Sequence, residues 1–435
     1  MLIVNATMNT SDAAEAFSSY FNRSRAYDIA LSGANMAGNA LYFHKTLRGH
    51  LQDEVDSQGG ILDVTVQQAG KFVRITSTGT FPASGSDRRI EQVVYEVSTG
   101  YFDRFVVLTD NDDGTVPWTT YDTANGAVHS NNLLTMDHYS GSTIMPVFNG
   151  RVTTTRPVVI TPGTHPKFYA GKPESGVTIP FPTAFDPVTE PPMLKGAGDF
   201  NTRIVAGNGL INFSTKKEVH LQFFVDGSGQ QMVKYFRDVR RYTNNGYGDF
   251  RPSDTARAVP ASGIIYEPGV DVFVEGTVKG KVSVLTVPDA GGKGGNIILT
   301  NDLLCATNPR ASSASPDFIG LLAANNVIIG NTKNDNATRS GSNRFRIQAS
   351  IVALTGGLAA ADNQSRTRQI LDIYGSVTQK NRRAVGSGNS SVGASTGGFI
   401  KSYVFDPRLY DDHALLMPSA PLLALESWLI KSVPE

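Results

Sequence analysis

Val270–Val287 reads VDVFVEGTVKGKVSVLTV, and four further β-branched runs follow it: NIILT (296–300), NVIIG (326–330), FRIQASIVAL (345–354) and ILDIYGSVTQ (370–379). Glycine and polar loops separate the runs. Their starts, near Val272, Ile297, Val327, Ile347 and Ile370, step along the chain at irregular intervals of roughly 20 to 30 residues, as expected when each coil of a solenoid supplies a strand. The pattern predicts a parallel β-helix. Such coils bury alternate side chains inward and stack aliphatic residues into a continuous core, so they serve as a rigid body without needing a catalytic centre.

Composition agrees with a β-rich chain. The 435 residues include 43 glycines and a single cysteine, and the 39 basic and 39 acidic residues balance. A net charge of zero carries no electrostatic footprint for nucleic acid or an anionic membrane. Cys305, in LLCA, has no disulfide partner and reads as a small buried apolar residue rather than a nucleophile.

The N-terminus, MLIV followed by Asn5, is not a complete signal peptide. From Ser11 to about Leu51 a helical pattern runs through Ala13, Phe17, Tyr20, Tyr27, Leu31, Ala34, Gly38 and Leu41, with Ser11 and Asp12 as its start. Its stripe needs a sheet or a partner helix. Either the helix packs on its own domain, or MLIV is the end of a longer membrane-spanning or filament-core helix that begins before Met1. Period-two runs follow in ILDVTVQQ (61–68), KFVRITSTGTF (71–81) and RRIEQVVYEVS (88–98), broken by Gly70 and the Ala83–Asp87 turn. They predict an antiparallel meander covered by the helix, the order of a pilin-like module.

Residues from Tyr101 to about Pro192 are rich in Gly, Pro, Asn and Thr and predict irregular β structure. Asp110, Asp112 and Asp113 precede Gly114; without the terminal bidentate Glu of a calcium loop they read as an Asx-rich turn. His129, in GAVHSN, has no second ligand at zinc spacing and reads as a ring hydrogen-bonded beside Asn131. EVHLQFFVDGSGQQMVKYFRDV (218–239) predicts a hairpin turning at Asp226–Gly229, with Leu221, Phe223, Val225, Met232, Val233 and Phe236 on its buried side. GGKGG (291–295) lacks the phosphate-loop spacing and reads as a turn between coils. The apolar, proline-broken tail SYVFDPRLYDDHALLMPSAPLLALESWLIKS (402–432), with Trp428, predicts a solenoid cap or a segment lying along its wall.

GAVHSN, PVFNGRVTT (146–154), GIIYEPGVDVFVEGTVKGKVSVLT (263–286), NIILTNDLL, IGLLAANNVII (319–329), IQASIVAL, LDIYGSVTQKNRRAVG (371–386) and GGFIKSYVFDPRL (397–409), taken in order, resemble an envelope-protein family related to type IV pilus assembly and minor pilins. RSRAYDIALSGANMAGNAL (23–41) resembles the stretch just beyond the anchor of such proteins, and the likeness runs from about Ala30 to Trp428. An apolar anchor with its acidic residue is absent apart from MLIV. The resemblance implies a membrane-anchored helix, a small sheet and a large Gly-punctuated β-helix, with surface exposure and a structural role, and it brings no catalytic residues.

The expected organisation is a pilin-like helix and meander over 1–108, an irregular β region over 109–198, a hairpin insertion over 199–262 and a parallel β-helix with a capping tail over 263–435. The expected function is a non-enzymatic cell-surface or extracellular subunit or adhesin. Its partners would be other pilus or envelope subunits, reached through the N-terminal helix, and a surface glycan or protein, with no nucleic acid, cofactor, metal or catalytic residue. Two other classes stand beside it. A carbohydrate-active β-helix enzyme would draw on Asp372, Lys380, Arg382, Arg383, Asp406 and Arg408, the one dense charged set near the coils, which reads more simply as loop charges. A phage or secretion-system fibre would carry a trimerisation segment, and none is seen.

Overall fold

The computed structural model describes residues 2–43, 47–55, 59–69, 72–139, 142–181, 218–236, 255–330, 344–361, 369–389 and 394–432. The chain is mainly β with one long helix, and it forms two compact units: Met1–Tyr101 with Ser419–Glu435, and Phe102–Pro418.

In the first unit, helix α1 (Leu2–Phe43) lies on an antiparallel sheet of β1 (Gly49–Val55), β2 (Gly60–Ala69), β3 (Phe72–Phe81), β4 (Arg89–Tyr101) and the C-terminal strand Ser419–Ser432, in that order. The alternating residues of β2 and β3 put Leu62, Val64, Val66, Val73 and Ile75 on the buried face. Against them α1 presents Ala26, Ile29, Ala30, Ala34, Ala37 and Leu41. Most of this surface is small, so the helix backbone comes close to the strands. At Gly33 an added Cβ would overlap Leu62 and the Ser77 hydroxyl, and at Gly79 it would overlap the Ala26 carbonyl and the Ala30 amide. Asn22 ties the helix to Asp87 at 3.0 Å, and Arg23 pairs with the buried carboxylate of Glu91 at 2.7 Å.

The helix differs from its sequence reading in extent and in face. It starts at Leu2 rather than Ser11 and ends at Phe43. Tyr27, Leu31, Ala34 and Leu41 of the expected stripe pack on the sheet, whereas Phe17 and Tyr20 are exposed at 71% and 73%. The tail divides. Arg408, Asp412 and Leu415 lie along the coils as expected, bonded to Ser315, Lys281 and Ser283, whereas Ser419–Ser432 belongs to the first unit and pairs with β4, where a long strand satisfies its backbone groups.

The second unit is a stack of parallel strands. One ladder runs through Ile264–Tyr266, Lys281–Thr286, Phe318–Ala323, Arg344–Ala353 and Gln369–Asn381. A second runs through Glu218–Val225, Asp271–Val278, Ile297–Cys305, Val327–Ile329 and Leu358–Ala360. Parallel neighbours require crossover connections, so successive rungs come from successive turns of chain. Like side chains then stack. Val272, Ile297, Val327 and Leu358 share one position and Val274, Leu299 and Ile329 another, all buried. At about 1.5–3 kcal/mol for each fully buried aliphatic side chain, these columns are the main cohesive element of the unit.

The stack does not follow chain order. β5 (Val107–Asn111) pairs with the end of Gln369–Asn381, and β6 (Thr123–Asn125) pairs with Ala394–Phe405. From there the rungs Val128–Ser130, Val152–Thr154 and Glu174–Ser175 continue outward. The described chain resumes at Glu218 at the opposite end and returns to meet its own beginning. The boundaries 108/109 and 262/263 are therefore corrected, both falling inside the second unit, and the boundary 198/199 lies outside the described residues. The expected irregular region belongs to the ladder as far as Ser175, its rungs being only two to five residues long. The hairpin Glu218–Phe236 is present, but its first strand pairs in parallel with Asp271–Val278 and so is a rung rather than an insertion. Residues 182–217 lie outside the described residues.

Candidate functional site: a cleft over the seam

The seam where β5 and β6 meet the last two long strands joins residues 270 or more apart. A polar row crosses it. Thr355 donates to Asn325 at 3.0 Å, Asn381 donates to the Thr355 carbonyl at 2.9 Å, Asn111 donates to Asn381 at 3.2 Å, and Asn132 donates to Asn111 at 3.1 Å. Backbone strands and side chains thus stack across the seam as they do where the chain is continuous.

Under the seam lies a buried charged cluster. Trp118 is fully buried, with the Arg382 guanidinium 4.7 Å and the Lys401 ammonium 5.5 Å from its ring centre. Lys401 pairs with Asp122, and its ammonium also donates to the Pro117 carbonyl at 3.3 Å. Arg382 donates to the Val116 carbonyl at 2.8 Å and lies 3.5 Å from Asp112. Burial pushes the Lys401 ammonium below its ordinary value, against the pull of Asp122. Burial likewise raises the Asp112 carboxyl, with Arg382 opposing, and raises the Tyr403 hydroxyl. Sequence reasoning had Arg382 only as a loop charge and missed Trp118, Asp122 and Lys401. The available signal was a lysine inside an apolar run, Phe399–Phe405.

Over this cluster opens a cleft of about 300 Å³. Thr115, Val116, Pro117 and Thr119 form one side, Asp137 and Tyr139 come from the next turn, and Val385, Ser387 and Phe399 close the other side. The two turns are fixed by backbone bonds from Trp118 N–H to the Thr135 carbonyl and from Asp137 N–H to the Trp118 carbonyl, both 2.9 Å. Asp137 Oδ1 accepts the His138 N–H at 2.8 Å, and the Tyr139 hydroxyl stands 3.5 Å from that of Thr119.

The residues singled out from sequence are dispersed. Asp372 is held by Arg310 and Arg344, Lys380 by Asp110, and Asp406 by Arg408, whose guanidinium also donates to the Ser315 carbonyl at 2.6 Å. Asp112 and Asp113 accept the Gly114 and Thr115 N–H groups in Asx turns at 3.1 and 2.9 Å. His129 is buried between Asn131 and Thr153, each at 2.8 Å, and burial holds its imidazole below the ordinary value. His220 stacks on Phe273, the ring centres 4.3 Å apart. GGKGG forms a turn closed on Asp289. Burial raises the Cys305 thiol to about 12, so at neutral pH it is protonated. Among the described residues, no group of three or more His, Cys, Asp or Glu could hold a metal ion, and no helix is long and apolar enough to cross a membrane.

No protein-family model matches the chain, and no curated protein sequence matches it. Among solved structures, the chain is similar to the crystal structure of the competence-associated pilin ComZ from Thermus thermophilus, with 11% identity and a TM-score of 0.35, over 95% of this chain and 98% of that one.

Proposed function

We propose that the protein is a pilin-like structural subunit or adhesin of a cell-surface filament, with its second unit a parallel β-helix that forms the stiff outer body. The observation that carries this reading is the division of α1. Its C-terminal half is buried on the sheet, whereas Asp12–Phe17 and Tyr20 are exposed, including two large aromatic side chains. A continuous helix that uses half its length at home offers the other half to helices of other subunits. The non-enzymatic reading draws support from the charges near the coils. Glycoside cleavage calls for two carboxyl groups facing each other across a bound sugar. Asp372 and Asp406 are instead each engaged by arginine and nearly buried.

A photo-crosslinking residue at Phe17 or Tyr20, in cells that make the protein, tests the reading. Crosslinks to other helix-bearing envelope subunits are expected. Crosslinks absent at both positions, in protein that is folded and exported, contradict it.

A further inference from the structure

We propose that the seam cleft binds a single pyranose unit of a neutral saccharide. The cleft, about 300 Å³, lies at the small end of ligand sites, suited to one sugar ring rather than an extended oligomer. Its polar side chains are the hydroxyls of Thr115, Thr119, Tyr139 and Ser387, the Asp137 carboxylate and the Lys401 ammonium. Asp137 uses one oxygen on the His138 amide, which leaves acceptor capacity on the carboxylate for sugar hydroxyls. Among the described residues the Tyr139 hydroxyl has only the long 3.5 Å contact to Thr119, which leaves it capacity to donate and accept.

Charge selects against an anionic ligand. Among the described residues Lys401 is the one cation lining the cleft, and its ammonium is already committed to Asp122 and the Pro117 carbonyl. Asp137 would repel a carboxylate or phosphate. Val116, Pro117, Val385 and Phe399 add the apolar wall that the C–H face of a pyranose requires. The fixed backbone bonds between the two turns hold these groups in place without a ligand, which lowers the ordering cost of binding.

The inference does not depend on the filament reading, because it is tested on the purified full chain, where assembly plays no part. The test is saturation-transfer NMR at millimolar sugar, with methyl α-D-glucopyranoside, methyl β-D-galactopyranoside and N-acetylglucosamine as separate probes and glucuronate as the anionic control. Transfer to at least one neutral sugar is expected, with glucuronate weaker. Asp137→Ala is expected to weaken binding about tenfold or more, and Tyr139→Phe by less, at unchanged melting temperature. Competition by dextran would identify a polysaccharide end as the source and its absence a free sugar; either keeps the proposal. No transfer to any neutral probe, undiminished transfer in both variants, or tighter binding of glucuronate overturns it.

Discussion

Tyr101 and Ser419 sit opposite one another on antiparallel strands, although residues 102–418 all lie between them in sequence. The second unit therefore leaves and rejoins the first at neighbouring points of one sheet. Replacing residues 102–418 by a two-residue Asn-Gly turn is expected to leave a folded helix-and-sheet module, since that turn suits adjacent antiparallel strands. Circular dichroism with a single cooperative melt would support this; a chain without a thermal transition would refute it.

Gly79 lies where α1 crosses β3, and a Cβ there would meet the Ala26 carbonyl and the Ala30 amide. Backbone cannot move aside as a flexible side chain can. Gly79→Ala is expected to lower the stability of the first unit by about 1–3 kcal/mol through overpacking, measured by urea unfolding of the deletion protein. Gly171→Ala, at a position with nothing near the added Cβ, tests instead the strain of φ +103° in the second unit and should leave the first unit unchanged.

Across the seam, two ion pairs differ in burial. Lys401 and Asp122 are both nearly buried, and Lys380 and Asp110 are 36% and 20% exposed at the side chain. Lys401→Met leaves the Asp122 carboxylate buried without its counter-charge and is expected to cost about 3–5 kcal/mol. Lys380→Met should cost about 1 kcal/mol or less. Urea unfolding of the full chain, followed by Trp118 fluorescence in a Trp428→Phe background, ranks the two; equal effects would contradict a stabilising role for the buried Lys401–Asp122 pair.

His129 links the ladder to pH. Its imidazole has an ordinary pKa of 6.5, which burial lowers in the fold. Between the lowered value and 6.5 the unfolded chain binds the proton and the folded chain does not, so stability falls as pH drops through that window. Melting temperature is expected to decline on acidification below 6.5, and His129→Gln should flatten the decline.

Much of what forms between neighbours in sequence was legible from local pattern, in both units. The period-two runs at 61–68 and 71–81 became β2 and β3, and the Asp226–Gly229 turn closed the hairpin, because alternation and turn chemistry act between neighbours in sequence. The hydrogen bond between His129 and Asn131, two residues apart, was equally local. The pairing of Ser419–Ser432 with β4 was not legible, nor was the seam between Val107 and Val377, since no local signal specifies a partner 270 residues away. The helix face was legible at Tyr27, Leu31, Ala34 and Leu41 but not at Phe17 and Tyr20. Hydropathy favours those two aromatics, whereas the interface also selects for Ala26 and Ala30, whose small size permits close approach. Short rungs such as Val128–Ser130 are below the length at which alternation can be recognised.

The most direct measurement is immunogold electron microscopy of intact cells with an antibody to residues 102–418. Gold along or at the tips of extracellular filaments, lost when α1 carries Phe17→Asp with Tyr20→Asp, is the predicted result. Gold confined to the cell interior, or a filament label indifferent to those exposed aromatics, would contradict the pilin-like reading.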